Sequence, residues 1–136
     1  MSAELPEYYF RVRENGAVVF RIDTENRQRR IEMDQIAVVN IKNGEIKPHG
    51  DRTLSDEDFQ TIKTWMENRT ALLAQRDIDD IHRAVDYLNL TTQWAQSRAT
   101  SEQLEDVTDA LLLAMHDLRT VLVRKKADRI MAERGN

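Results

Sequence analysis

Glycine and proline, the residues that most strongly interrupt helices, are concentrated in the first third of this chain. Within the first 50 residues lie Pro6, Gly16, Gly44, Pro48 and Gly50. Neither residue type occurs between Gly50 and Gly135. Because both mark turns and break helices, their distribution predicts turn-rich structure before residue 50 and helix free of such breakers after it.

Two alternating segments near the start predict a β-hairpin. Tyr8–Arg13 and residues 17–23 alternate apolar and polar side chains, and residues 14–16, Glu-Asn-Gly, separate them. Alternation with a period of two is typical of strands, and Asn-Gly between strands favours a turn. A three-residue loop pairs Phe10 with Phe20, whereas a two-residue Asn-Gly loop would pair Phe10 with an arginine. We therefore predict the three-residue loop, with Val18, Phe20 and Ile22 on the buried face.

Further strands are predicted at residues 29–33, 36–42 and 45–47. The first would pair with the hairpin by placing Ile22 opposite Ile31, and a bend or bulge is expected at residues 34–35. A two-residue Asn-Gly turn at 43–44 would then place Ile41 opposite Ile46. The result is an N-terminal antiparallel sheet of about four to five short strands over residues 1–50.

Residues 51–136 predict about three helices. Ser55 and Asp58 have the spacing of a helix N-cap with its returning partner, and Thr100 with Gln103 has the capping-box spacing. Asp77 is interpreted as the start of the second helix, and residues 98–101 form a polar break before the third. The predicted fold is α+β in a single domain, residues 1–136, whose last helix is long.

The third helix carries more apolar surface than one copy of the chain is expected to cover. Its heptad-spaced stripe consists of Leu104, Val107, Leu111, Ala114, Leu118 and Val121. From residue 101 to about 133 it would be roughly 50 Å long, whereas a compact domain of this size has a radius of gyration of about 14 Å. We therefore predict a homodimer, because a second copy is the simplest cover. The predicted dimer residues are Leu111, Leu118, Val121, Leu122 and Ile130. The alternative is a break near residues 124–128, with the tail folding back.

Helical carboxylates and histidines provide the candidates for metal binding. Asp79, His82 and Asp86 lie on one helix face at i, i+3 and i+7, and His116 is a candidate fourth ligand. No paired ligand motif such as H-E-x-x-H occurs, so a solvated helix face explains the spacing more simply. The acidic cluster that begins at Glu102 suits a helix N-terminus and is explained in the same way. No metal or other cofactor is predicted.

Arginines and a tyrosine of the predicted outer sheet face are the candidates for nucleic-acid or partner binding. They are Tyr9, Arg11, Arg13, Arg21 and Arg30. Aromatic and cationic side chains together are typical of surfaces that bind single strands. Acidic residues interleave with them, however, and the first 53 residues carry no net charge, which favours a salt-bridged solvent face.

Composition excludes thiol chemistry and indicates no catalytic class. The chain has no cysteine and a net charge of −4, which selects no particular partner. No Gly-rich phosphate loop or nucleophile elbow is present, and no apolar run is long enough to span a bilayer. The N-terminus lacks the features of a signal peptide, so a cytoplasmic protein is expected.

Taken together, these patterns favour a non-enzymatic interaction, adaptor or assembly module acting as a homodimer, without a named partner. Two alternatives remain at this point. One is a metal-dependent hydrolase of nucleotides or phosphate esters that uses helical carboxylates, and the other is nucleic-acid binding through the arginine-rich sheet.

Overall fold

The computed structural model describes residues 5–23 and 31–135. In chain order the elements are β1 (Tyr8–Arg13), β2 (Gly16–Asp23), β3 (Glu32–Asn40), β4 (Glu45–Pro48), α1 (Asp56–Ser97) and α2 (Ser101–Arg134). The strands form one antiparallel sheet in the order β1-β2-β3-β4. The predicted α+β class, with an N-terminal antiparallel sheet and a long last helix, is confirmed.

The hairpin register differs by one residue from the prediction. Arg13 pairs with Gly16 and Phe10 with Val19, so the loop has two residues, Glu14 and Asn15. Gly16 belongs to β2 rather than to the turn. A Cβ at this position would lie 1.8 Å from the Val39 carbonyl oxygen of β3. Close backbone approach, not turn formation, explains this glycine.

This register reverses the predicted faces of β2. Val19 packs in the core, whereas Phe20 lies opposite Tyr9 on the outer face. Phe20 is nevertheless buried, because the guanidinium of Arg11 lies 4.7 Å from the centre of its ring. A one-residue slip exchanges the two faces of a strand, so the prediction that Phe20 and its even-numbered neighbours form the core face is wrong.

The segments predicted as third and fourth strands form the single strand β3. Its pairing with β2 shifts between Val19 and Phe20, whose partners are Ala37 and Gln35, so Ile36 is the extra residue of a β-bulge. The irregularity predicted at residues 34–35 is thus one residue further along. β4 pairs Ile46 with Val39 rather than with Ile41, and the predicted residues 29–30 lie outside the described ranges.

The buried core lies between the inner sheet face and the first turns of α1. It consists of Ala17, Val19, Ile36, Ala37, Val39, Ile62 and Met66. At its edge the rings of Phe10 and Trp65 stack with centres 4.6 Å apart. Every buried residue of the described ranges lies between residues 16 and 66, so the sheet and the start of α1 contain the whole hydrophobic core described here.

A capping box fixes the start of α1, as the sequence predicts. The backbone N–H of Asp58 donates to the Ser55 hydroxyl at 3.0 Å, and the Ser55 N–H donates to the Asp58 carboxylate at 3.1 Å. The same carboxylate accepts a 2.6 Å hydrogen bond from the Tyr8 hydroxyl. Asp58 therefore connects the first turn of α1 to β1 as well as capping the helix.

The described helices number two, so the predicted count of three is wrong. α1 continues for 42 residues through Asp77, where a second helix was expected to begin. A mid-helix aspartate costs only roughly 0.5 kcal/mol relative to alanine. The Gln75 side-chain amide also donates to Asp79 one turn later, at 3.1 Å. Without glycine or proline, these polar residues do not interrupt the helix.

α2 is continuous over 34 residues, Ser101–Arg134, and begins at the predicted capping box of Thr100 and Gln103. The alternative of a break near residues 124–128 is thereby wrong. The chain comprises two compact units, Met1–Asp80 and Ile81–Asn136, here named the sheet unit and the helical unit. The expectation of a single domain stays a prediction.

The close approach at Gly16 predicts a specific loss of stability. Substitution Gly16→Ala forces a methyl group against the β3 backbone and should lower the free energy of unfolding by roughly 3 kcal/mol. Gly44→Ala is the control, because Gly44 has a φ of +73° but open space around it, which predicts a cost of only about 1 kcal/mol. Urea denaturation followed by tryptophan fluorescence measures both, and equal losses would contradict the close approach.

Candidate functional site: the apolar surface of the helical unit

The most prominent unexplained surface is the apolar side-chain array of α2. This 34-residue helix has no buried residue. Its exposed large apolar side chains are Leu112, Leu113, Met115, Leu118, Val121, Leu122, Val123, Ile130 and Met131. Soluble monomers rarely expose large contiguous apolar patches, and such patches commonly mark interaction sites.

One face of α2 carries a continuous row of these side chains, which we name the α2 stripe. The α2 stripe consists of Leu104, Val107, Leu111, Met115, Leu118 and Leu122, whose spacings of three and four residues place them on one face. Its first three members are partly buried. In contrast, Leu118 and Leu122 are 55% and 58% exposed, so the second half of the stripe has no cover within the described chain.

A groove separates α1 from α2 near the turn that joins them. It has a volume of about 700 Å³ and is lined by Tyr87, Leu90, Thr91, Trp94, Arg98, Asp106, Val107, Ala110 and Leu111. Most of these side chains are apolar, and two of them, Val107 and Leu111, belong to the α2 stripe. The groove and the stripe are therefore one continuous apolar surface of the helical unit.

The α1 part of the helical unit has a second apolar face. Ile81, Val85 and Leu88 are all exposed and lie on a different side of the helix from Leu90 and Trp94 of the groove. An amphipathic helix on a protein surface has one apolar face, whereas a helix with apolar residues on several sides is normally buried. The residue pattern of this part of α1 is thus typical of a helix buried inside a protein, although Ile81, Val85 and Leu88 are exposed.

Of the predicted dimer residues, Leu111, Leu118 and Leu122 belong to the α2 stripe, whereas Val121 and Ile130 lie on other sides of α2. Leu111 lines the groove, while Leu118, Val121, Leu122 and Ile130 are exposed. Sequence reasoning missed the groove itself. Its signal was present in the spacing of Tyr87, Leu90, Thr91 and Trp94, which forms a second helical stripe in addition to the one through Val85.

The charges of α2 are divided between its two halves. Residues 101–117 carry Glu102, Glu105, Asp106, Asp109 and Asp117, with no lysine or arginine. Residues 118–134 carry Arg119, Arg124, Lys125, Lys126, Arg129 and Arg134, against only Asp128 and Glu133. The helix therefore has a strongly acidic half followed by a basic half, an order that also suits the helix dipole.

The metal-site candidates are not gathered into a site. Asp79, His82, Asp86 and His116 are all exposed. Among residues 5–23 and 31–135, no group of three or more His, Asp or Glu side chains is arranged to hold a metal ion. The structure therefore offers no support for hydrolysis through helical carboxylates.

The nucleic-acid candidates do not share one face. Tyr9, Arg11 and Arg13 alternate with the core-facing residues of β1, but Arg21 lies on the inner face, paired with Tyr8. Its guanidinium forms ion pairs with Glu7 at 2.8 Å and with Asp58 at 3.5 Å. The predicted placement of Arg21 on the outer face is wrong because of the register shift, and Arg30 lies outside the described residues.

The pKa values of Tyr8 and Asp58, which share a hydrogen bond, are shifted in opposite directions. Burial and the neighbouring carboxylate raise the pKa of Tyr8 to about 12. Burial alone would raise the pKa of Asp58, but hydrogen bonds from Tyr8 and Ser55, helped by Arg21, lower it below its ordinary value of 3.8. Both shifts move the pKa values away from neutrality, whereas efficient acid–base catalysis needs pKa values near it. The pair is therefore a structural anchor.

Comparison of the chain with known proteins found no matching family model, no matching curated protein and no matching solved structure. None of the described helices combines the length and apolar character needed to cross a bilayer.

The lowered pKa of Asp58 predicts an acid-dependent contribution to stability. The carboxylate stabilises the fold above its unfolded-state pKa near 3.8, and this contribution is lost as the pH falls through the folded-state value. Substitution Asp58→Asn should cost roughly 2 kcal/mol at neutral pH, because it weakens charge-assisted hydrogen bonds.

Urea denaturation of the wild type and of this variant at neutral pH and at about pH 2 measures the difference. The gap between the two proteins should narrow in acid. Asp56→Asn, at an exposed neighbouring carboxylate, is the matched control and should show a much smaller effect. A cost for Asp58→Asn that is independent of pH would contradict the anchor role.

Proposed function

We propose that this protein is a non-enzymatic assembly module that acts as a homodimer through its helical unit. The observation that supports this proposal is the absence of any buried residue from 67 to 135 in a segment rich in leucine, valine and methionine. Burying a leucine side chain fully contributes about 1.5–3 kcal/mol. Packing the apolar side chains of this helix pair against a partner therefore stabilises the pair much more than leaving them in contact with water.

A second copy of the chain is the occupant that best fits the chemistry of α2. The stripe needs an apolar helix with the same spacing, and the acidic and basic halves need a helix with the opposite order of charge. An identical α2 running in the opposite direction supplies both. Closed two-fold symmetry is also the commonest form of homo-oligomer.

The association geometry we propose is a bundle of helices contributed by two hairpins. Each helical unit contributes α2 and residues 81–97 of α1, whose two apolar faces suit an interior position. The groove beside Trp94 would then be filled by side chains of the second copy. In this arrangement the sheet units keep their own cores and are free to present a separate surface to further partners.

Light scattering coupled to size-exclusion chromatography tests the proposal directly. At tens of micromolar the wild type should elute with about twice the chain mass of 15.9 kDa. Leu118→Glu should shift the protein towards the monomer and raise the dimer dissociation constant more than about hundredfold, because it buries an unpaired charge in the interface.

Leu113→Glu is the matched control. Leu113 is also a leucine of α2 and is 66% exposed, but it lies about 140° around the helix from Leu118. It should leave the dimer intact. A compact monomer for the wild type, or equal effects of the two substitutions, would contradict the proposal.

A further inference from the structure

We propose that the free edge of β1 binds an extended segment of another protein in which acidic and apolar residues alternate. The segment would join the sheet as an added strand beside β1. This inference does not depend on the proposed homodimer, because β1 (Tyr8–Arg13) belongs to the sheet unit. Three features of this edge support it: its unpaired backbone groups, the charge of its outer face and the apolar side chains of its inner face.

The backbone of β1 has unpaired hydrogen-bonding groups on the side away from β2. The Ile22 N–H donates to the Glu7 carbonyl oxygen at 3.0 Å, and these two residues continue the β1–β2 register. In an antiparallel pair, hydrogen-bonded and non-hydrogen-bonded positions alternate, so the odd-numbered residues of β1 bond to β2. The N–H and C=O groups of Tyr8, Phe10 and Val12 therefore point away from β2, to a side where no described strand lies.

The other edge of the sheet is less suited to an added strand. β4 has only four residues and ends in Pro48, which has no N–H to donate. β1 has six residues, and none of them is proline. Because short strands and prolines are common means of preventing pairing at a sheet edge, β1 is the edge that retains the capacity to pair.

The outer face of β1 is basic. Arg11 and Arg13 lie on this face beside Tyr9, and all three residues are exposed. None of the ion pairs within residues 5–23 and 31–135 includes either arginine. Residues directly opposite each other on neighbouring strands share one face of the sheet. Acidic residues of an added strand, placed opposite Arg11 and Arg13, would therefore supply ionic partners for both.

The inner face of the same edge is apolar. Val12 is 48% exposed, although Ala17, its partner on β2, is buried. On α1, Trp65 stacks on Phe10. Leu72 follows Trp65 by one heptad, so it lies on the same side of the helix, and it is 44% exposed. Inward-facing residues of an added strand would pack against these side chains, so the partner needs apolar residues between its acidic ones.

Two other occupants fit this edge less well. A second β1 would bring its own Arg11 and Arg13, and cationic residues on an edge strand oppose pairing with an identical strand. The acidic residue just before β1, Glu7, is already paired with Arg21 at 2.8 Å. A single-stranded nucleic acid would satisfy the arginines but would leave the strand edge and Val12 uncovered. The alternating segment satisfies all three features.

Binding of synthetic peptides to the full chain tests the proposal. Three capped peptides of about eight residues are compared by calorimetry: one alternates glutamate and valine, one alternates lysine and valine, and one has its glutamates and valines in separate blocks. The alternating glutamate peptide should bind at least about tenfold more tightly than either of the others, because only it places carboxylates on the outer face and apolar side chains on the inner face. Equal affinities would overturn the proposal.

Arg13→Glu should lower the ratio of the glutamate-peptide affinity to the lysine-peptide affinity by about tenfold. Because the lysine peptide then binds more tightly, misfolding cannot account for the result. Lys63→Glu is the matched control: it makes the same charge change at an exposed residue of α1, about 160° around the helix from Trp65. It should leave the ratio unchanged, and equal effects of the two substitutions would contradict binding at β1.

Amide hydrogen exchange measured by NMR separates strand addition from attraction between charges alone. Saturation with the alternating glutamate peptide should slow exchange of the Tyr8, Phe10 and Val12 amides by at least about tenfold. The amides of Arg11 and Arg13, already bonded to β2, should change much less. Unaltered exchange at the three even-numbered positions would rule out an added strand.

Two further results would identify a different occupant and overturn the proposal. A thymidine oligonucleotide of about eight nucleotides that binds more tightly than every peptide would make this face a nucleic-acid surface. In the Leu118→Glu variant, a dimer that is abolished by adding Arg13→Glu would place a second copy of the chain at the β1 edge.

Discussion

The need to remove apolar side chains from contact with water is the constraint on which the rest of this structure depends. In the described chain, that constraint is satisfied between residues 16 and 66, where the sheet packs on the first turns of α1. It is not satisfied from residue 67 onwards, although leucine, valine and methionine remain frequent there. The two units therefore differ. The sheet unit has a hydrophobic core of its own, whereas the helical unit exposes apolar side chains of the kind that normally form a core.

The sheet unit achieves its packing with few residues, and several of them serve two purposes. Gly16 permits the close approach of β2 and β3, and the bulge at Ile36 brings two neighbouring β3 side chains into the core. Asp58 is part of the capping box of α1 and also accepts a hydrogen bond from the Tyr8 hydroxyl. These interactions fix the beginning of α1 on the sheet, whereas its later turns have no buried residue to fix them.

The sequence was sufficient for the element types, the capping boxes and the long last helix, because these depend on local pattern. It was insufficient for the hairpin register, since the reason for Gly16 is a carbonyl oxygen of β3 that is distant in sequence. That one-residue error moved Arg21 to the wrong face. The supposed helix start at Asp77 failed because a cap residue alone does not break a helix. The dimer residues were predicted from the excess of apolar side chains in the sequence. The groove beside Trp94, in contrast, is evident only once α1 and α2 are placed next to each other in space.

Hydrogen–deuterium exchange of the full chain, measured by mass spectrometry across a wide range of protein concentration, tests the central claim most directly. The account predicts that protection of α2 amides increases with concentration, because association stabilises the folded form by mass action, while protection of β2 and β3 changes little. Strong protection of α2 that is independent of concentration, down to the most dilute samples, would show that one copy covers its own helices and would contradict the account.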